Sequence, residues 1–231
     1  MNNLAINIQH TPRRDRWTKA LVSLIEDSRV TVVTDETNNL WNGAQQTLTT
    51  YTKAHTHMLV LQDDILPCKD LIKTAEQLIE LLPDKFITLF SNKNIILQAR
   101  AEYKSWALVN KFLMAQAYIM PIPMIEDFLP WATTHIKPQI YFDDDRLGMY
   151  LYYHNLKAYA TSPSLVEHLG WNQSTLSGYK PEHRFLPELR MAKYFIGFEQ
   201  SGLSVDWTKG LADPVPDTEQ IIGDWSHFYL E

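Results

Sequence analysis

Cysteine is nearly absent. Cys68 is the single one in 231 residues, which excludes an internal disulfide framework and any zinc cage built on cysteine. Glycine is scarce as well, with eight in the chain. The phosphate-cradling spacings GxGxxG and GxxxxGK[ST] do not occur, and neither do GxSxG or HExxH. Dinucleotide-dependent redox chemistry, P-loop nucleotide hydrolysis and the common hydrolase designs therefore lose their sequence support. No apolar run approaches the roughly 20 residues needed to cross a bilayer. The opening MNNLAINIQHTPRR has no charged leader followed by an apolar stretch, so the expectation is a cytoplasmic, intracellular protein without a signal peptide. Positive charge is also short. The formal net charge of -6 argues against general attraction to nucleic acid or an anionic membrane. Basic residues gather in two places, Arg13, Arg14, Arg16 and Lys19 early, and Lys180, His183, Arg184, Arg190 and Lys193 late. Each group reads as solvated helix surface or as a local anion patch.

The chain is 45% hydrophobic and 12% aromatic, enough for one domain with a substantial core. Strand-like and helix-like stretches alternate through the first half. Residues 3–9 (NLAINIQ) predict a strand, RRDRWTKALVSLIED a helix, and the β-branched RVTVVTD a second strand. NLWNGAQQTLTTYTKA predicts a helix and HMLVLQ a third strand. Leu71, Ile72, Ala75, Leu78, Ile79 and Leu82 follow the 3.6-residue period of one helical face, and KFITLF predicts a fourth strand. Further on, AQAYIMP reads as a strand, PMIEDFLPWATTH and DDDRLGMYLYYH as helices, and KAYATSPS as a short strand entering a loop. Alternation of this kind implies an α/β fold with a mostly parallel sheet flanked by helices. The continuous apolar MLVL marks a central strand buried on both faces. The expected organisation is one domain over residues 1–180, with an irregular C-terminal extension, 181–231, packing on it.

Three features carry chemistry. Asp63 and Asp64 stand where the third strand leaves the sheet, and open α/β sheets bind ligands beyond the carboxyl ends of their strands. Two adjacent carboxylates repel unless a proton or a cation intervenes, and Mg²⁺ or Mn²⁺ with substrate phosphates suits such a pair. The alternative is that the pair begins a turn and caps the helix starting near Lys69. Next, Asp143, Asp144 and Asp145 precede an apolar helical segment. They either complement the helix dipole or supply a general base, Asp144 or Asp145, for an incoming hydroxyl. Last, His168 lies after an apolar stretch in TSPSLVEHLGWNQSTLSG, as a structural residue or as a ligand. His55 and His57 read as surface or strand-edge residues.

Taken in order, these stretches resemble the GT-A-fold (Rossmann-like) glycosyltransferases, which use nucleotide-activated sugars. INIQHTPRRDR resembles the first strand and nucleotide-facing loop. VVTDETNNLWNGA resembles the second strand with its terminal acid and the helix that follows. HMLVLQDDILPCKDL resembles the DxD-bearing strand, FDDDRLGMYL the acidic acceptor-side helix, and SPSLVEHLGWNQSTLSG the PSLVxHxGxxS segment that completes the metal site. The resemblance covers roughly residues 3–178. It implies Mn²⁺ (or Mg²⁺) held by Asp64 and His168, with the metal bridging the donor diphosphate. It implies Arg13, Arg14, Asp35, Trp41 and Asn42 near the nucleotide, and Gln62 and Asp63 on the donor side, Gln62 departing from a strict DxD. The implied reaction is transfer of a sugar, expected from a UDP-sugar and with inversion, to a hydroxyl. That hydroxyl belongs to a glycan, a protein, a small molecule or a hydroxymethylated base in viral DNA. The rival readings are a metal-dependent nucleotidyltransferase, whose usual glycine-rich loop is missing here, and a non-catalytic nucleotide-sugar-binding protein of the same fold.

Overall fold

A computed structural model describes residues 3–37, 39–110, 114–140, 142–169 and 190–218. Its centre is an eight-stranded sheet in the order β10-β6-β8-β5-β7-β3-β1-β2. The strands are β1 (Leu4–His10), β2 (Val30–Thr34), β3 (His57–Gln62), β5 (Ile87–Thr88), β6 (Trp106–Val109), β7 (Ala117–Pro121), β8 (Ala158–Thr161) and β10 (Val215–Pro216). β1 pairs in parallel with β2 and β3, β5 with β8, and β6 with β10, whereas β7 runs antiparallel to β3 and β5, and β6 antiparallel to β8. The sheet is thus mixed, with most strands running one way. A separate two-stranded ribbon joins β4 (Ile65–Pro67) to β9 (Val166–His168) in antiparallel register.

Helices cover both faces: α1 (Asp15–Ile25), α2 (Leu40–Thr49), α3 (Leu71–Leu81), α4 (Ile95–Ala101), α5 (Ile122–His135) and α6 (Asp143–Tyr153). The alternation of side chains along a strand divides the core in two. Met58 and Val60 of β3 face one cluster, with Trp41, Leu48, Phe128 and Leu147 from α2, α5 and α6. Leu59 and Leu61 face the other, with Leu71, Ala75, Leu78 and Ile79 of α3. Asn7 is a buried polar residue on β1, and its use is clear. Its Nδ2 donates to the carbonyls of Thr47 and Thr50, both at 2.8 Å, at the end of α2, where helix carbonyls lack their usual partners four residues on.

Residues 190–218 pack on the domain. Trp207 is 1% exposed and lies 5.6 Å from Trp106, ring to ring. The indole nitrogen of Trp106 donates to the Trp207 carbonyl at 2.7 Å, and β10 extends the sheet beyond β6. Residues 170–189 and 219–231 lie outside the described residues, and with them Lys180, His183, Arg184 and the GWNQSTLSG part of the segment after His168. No helix among the described residues is long and apolar enough to cross a membrane.

The structure bears on two readings of the sequence. Asp63 and Asp64 lie in a turn, as one alternative had it, but they do not cap a helix. A turn carries them from β3 into β4, and α3 begins only at Leu71 with Asp70 as its N-cap. His57 is not at the surface, because its Nε2 lies 2.7 Å from the Pro83 carbonyl and the side chain is buried.

Candidate active site

The site is built at the carboxyl ends of β1 and β3, the open end of a parallel pair where α/β sheets bind ligands. β1 runs buried to His10, and a short 3-10 turn, Pro12–Arg14, then leads into α1. That turn aims Arg14 back at the end of β3. Its Nη1 lies 2.9 Å from Asp63 Oδ1 and 2.6 Å from Asp64 Oδ2. Asp63 Oδ2 accepts a hydrogen bond from the Thr11 amide at 2.9 Å and lies 3.1 Å from His10 Nδ1. Thr18, one turn into α1, places its hydroxyl 2.6 Å from that same ring nitrogen.

His168 comes to this point from far along the chain. Pairing of β4 with β9 sets Ile65 opposite His168, and the Leu169 amide donates to the Asp64 carbonyl at 2.7 Å. His168 Nε2 then lies 3.2 Å from Asp64 Oδ2, with both side chains almost wholly buried. Its other nitrogen, Nδ1, lies 3.1 Å from the Arg190 carbonyl. A carbonyl can only accept, so Nδ1 carries a hydrogen. Nε2 therefore meets a carboxylate either as an imidazolium or as a bare lone pair. The bare form is stable beside that oxygen when a cation lies between them. Commitment of one nitrogen to a backbone carbonyl is also how metal-binding histidines are held in orientation.

The two aspartates titrate apart. Burial drives the Asp63 carboxyl above its ordinary range, with neighbouring Asp64 adding to the rise against the pull of Arg14 and Thr11. Burial pushes Asp64 the same way, but the hydrogen bond from His168 and the Arg14 charge outweigh it and hold Asp64 below the ordinary range. Asp64 is thus the member of the pair that keeps its negative charge most firmly.

The acidic first turn of α6 connects to this centre through Arg190. The Arg190 carbonyl meets His168, and its charge acts on Asp144. Asp144 Oδ2 accepts from the Met114 amide at 3.0 Å, and Oδ1 from the Asp145 amide at 2.9 Å. Burial still raises its carboxyl. Asp143 points inward, where burial and then the neighbouring Asp144 push it to about 7. Its Oδ2 has no hydrogen-bond partner among the described residues.

The remaining expected residues divide. Asp35 ends β2 and shapes the entry to α2: Oδ1 accepts from the amide and hydroxyl of Thr37, and Oδ2 from the Asn39 amide. Its own amide donates to the His10 carbonyl at 2.8 Å, so its loop touches the end of β1. Arg13 and Asn42 are exposed. Gln62 reaches Gln9 at 3.4 Å. Trp41 belongs to the core, edge-on to Phe128 at 5.8 Å and under the Arg146 guanidinium at 4.5 Å. So the structure brings Arg14, Asp63, Asp64 and His168 together, and it keeps Trp41 apart. His10, Thr18 and Arg190 went unnoticed as site residues in the sequence. Of these three, only His10 lay in a stretch that stood out, HTPRR, where a proline at the start of a turn presets the backbone.

No family model matches the sequence, and no curated protein matches it. Solved structures overlap it partially. The catalytic domain of Drosophila β1,4-galactosyltransferase 7 in complex with xylobiose gives a TM-score of 0.46 at 9% identity, covering 92% of this chain and 84% of that one. A mutant of that enzyme with manganese, UDP-Gal and xylobiose gives 0.43 at 8% identity, covering 90% and 99%. A197 from STIV gives 0.44 at 15% identity, covering 73% and 85%.

Proposed function

We propose that the protein is a glycosyltransferase of the GT-A type that moves a sugar from a nucleotide-sugar, in the first instance a UDP-sugar, to an acceptor hydroxyl. The observation that carries the reading is His168 Nε2 facing Asp64 Oδ2 at 3.2 Å while Nδ1 is committed to a carbonyl. Among the described residues no group of three or more His, Cys, Asp or Glu side chains is arranged to hold a metal. A carboxylate and an imidazole suit an ion that takes its other oxygens from substrate phosphates, as Mn²⁺ and Mg²⁺ do. Asp64 and His168 would hold that ion. When bound, it supplies Lewis-acid stabilisation of the departing diphosphate.

The chain's own residues divide the remaining work. In this reading Asp63, next to Asp64 and held by Thr11 and Arg14, would accept a hydrogen bond from a donor hydroxyl. In the same reading Arg13, which follows β1, Asp35, which follows β2, and Asn42, in the first turn of α2, would face the nucleotide. Asp144 or Asp145 takes the proton from the acceptor hydroxyl as the new bond forms. Attack from the side of that base, opposite the departing diphosphate, inverts the anomeric carbon. Trp41 contributes through packing.

Calorimetric titration of UDP and UDP-sugars, with Mn²⁺ and with chelator, tests the donor site. Binding that needs metal and vanishes in Asp64→Ala is expected. Asp144→Asn or Asp145→Asn should leave donor affinity intact and lower turnover by about 10²–10⁴-fold. Unchanged Mn²⁺-dependent UDP affinity in Asp64→Ala would remove the assignment. Release of pyrophosphate on turnover would replace it with nucleotidyl transfer.

A further inference from the structure

Asp64 Oδ2 is the atom the proposed function asks to hold a divalent cation, and two groups already meet it. Arg14 Nη1 lies at 2.6 Å and His168 Nε2 at 3.2 Å. The same Nη1 lies 2.9 Å from Asp63 Oδ1, so one guanidinium nitrogen spans both carboxylates. Arg14 is 15% exposed at its side chain and the two aspartates are nearly wholly buried. A second cation cannot share that oxygen without strong repulsion at this depth. Removing the arginine without giving it another anion would leave a buried carboxylate uncompensated, which is strongly unfavourable.

We propose that Arg14 is an exchange residue. It holds the cation position on Asp64 until the nucleotide diphosphate arrives, then transfers its guanidinium to the phosphates as the metal takes its place on Asp64. Two features fit this role. Arg14 lies on the short 3-10 turn Pro12–Arg14 at the start of α1, and its side chain is partly exposed while the two carboxylates it meets are nearly wholly buried. The planar fork of guanidinium also pairs as well with phosphate oxygens as with carboxylate. Asp63 is not abandoned by the exchange, because it retains the Thr11 amide and faces His10.

The consequence is coupling between metal and nucleotide beyond what a shared bridging ion gives. Metal alone must expel Arg14 and binds weakly, whereas metal with diphosphate offers the arginine a destination. The inference rests on the Asp64–His168 reading of the site, and a metal-only titration separates the two. Mn²⁺ binding is followed by the electron paramagnetic resonance of the free ion, without nucleotide, in the wild type, Arg14→Met, Arg14→Lys and Asp64→Asn. The expected result is weak binding by the wild type and at least about tenfold tighter binding by Arg14→Met, within the usual range of coupling between sites. Arg14→Met should at the same time lose affinity for UDP in the presence of Mn²⁺. Arg14→Lys, with a point charge in place of the fork, should fall between, and it answers the question if Arg14→Met does not fold. Equal Mn²⁺ affinity in the wild type and the arginine variants would overturn the exchange, as would micromolar binding of Mn²⁺ alone by the wild type. Full Mn²⁺ binding by Asp64→Asn would instead overturn the metal assignment itself.

Discussion

Asp143 and Asp64 are both buried carboxylates, and their surroundings drive them in opposite directions. Asp64 has His168 and Arg14 beside it and stays charged. Asp143 has burial and two neighbouring acids, and is pushed to about 7. The folded state therefore holds the Asp143 proton through a range of pH in which the unfolded chain, near 3.8, has lost it. Stability from this group must fall as pH rises from about 4 to about 7, because the native state binds more protons there. Asp143→Asn, which mimics the protonated acid, should remove that slope. Urea unfolding at pH 5 and at pH 8 should show the variant gaining on the wild type at the higher pH, on the order of 1–4 kcal/mol. Parallel pH dependence in the two proteins would count against it. At this scale the sequence showed the acids and the histidine but not their partners. Nothing in DDD distinguishes the member that points inward, and nothing in HTPRR distinguishes Arg14, which meets two carboxylates, from the exposed Arg13.

Whole elements were legible where they are long and periodic. The third strand matches HMLVLQ residue for residue, and α3 carries the face expected of Leu71 to Ile79. α4, β6, β10 and the β4–β9 ribbon were not foreseen. Strands of two to four residues form because a partner distant in sequence supplies their hydrogen bonds, so no local period marks them. KFITLF shows the same effect in reverse. Ile87 and Thr88 form the strand proper; the Leu89 amide still donates to the Ala117 carbonyl of β7 at 2.9 Å, and the Thr88 hydroxyl donates to the Phe90 carbonyl just beyond. Gly202, opening a 3-10 turn, packs tightly against α3. A Cβ there would stand 2.5 Å from the Thr74 hydroxyl and 2.8 Å from its methyl. Thr74 is fully buried and its hydroxyl donates to the Asp70 carbonyl, so it has nowhere to move. Gly202→Ala should cost about 1–3 kcal/mol in chemical unfolding; a neutral result would mean that the tail slides freely on α3.

For the molecule as a whole, the described part of the extension behaves as core. Trp207 is sealed between β6 and the 3-10 turn, with its indole nitrogen donating to the Gly202 carbonyl at 3.0 Å. Trp207→Ala should lower stability by about 3–5 kcal/mol. The same segment supplies Arg190 and the Ala192 amide, which donates to Glu167 at 2.8 Å next to His168. Under the proposed function, nucleotide binding by this variant should therefore be lost along its unfolding curve. Its persistence after the transition would separate the extension from the site. The α/β architecture was readable from strand and helix alternation, because most of the hydrophobic period is local. The return of residues 190–218 to the sheet was not, because the pattern there is a few aromatics and prolines with no repeat.

The β4–β9 ribbon also sets a timetable. Asp64 and His168 are separated by 104 positions, and the strands that pair them have only three residues each. Closing so long a loop for so few hydrogen bonds is an entropic cost that neighbouring structure must first offset. On a chain emerging from the ribosome, β1, β2 and β3 can pair early, with the two aspartates already at their edge. The Asp64–His168 pair cannot form until residue 168 has cleared the exit tunnel and the ribbon has zipped. Under the proposed function, metal binding should then be the last property to return on refolding, later than the formation of the sheet.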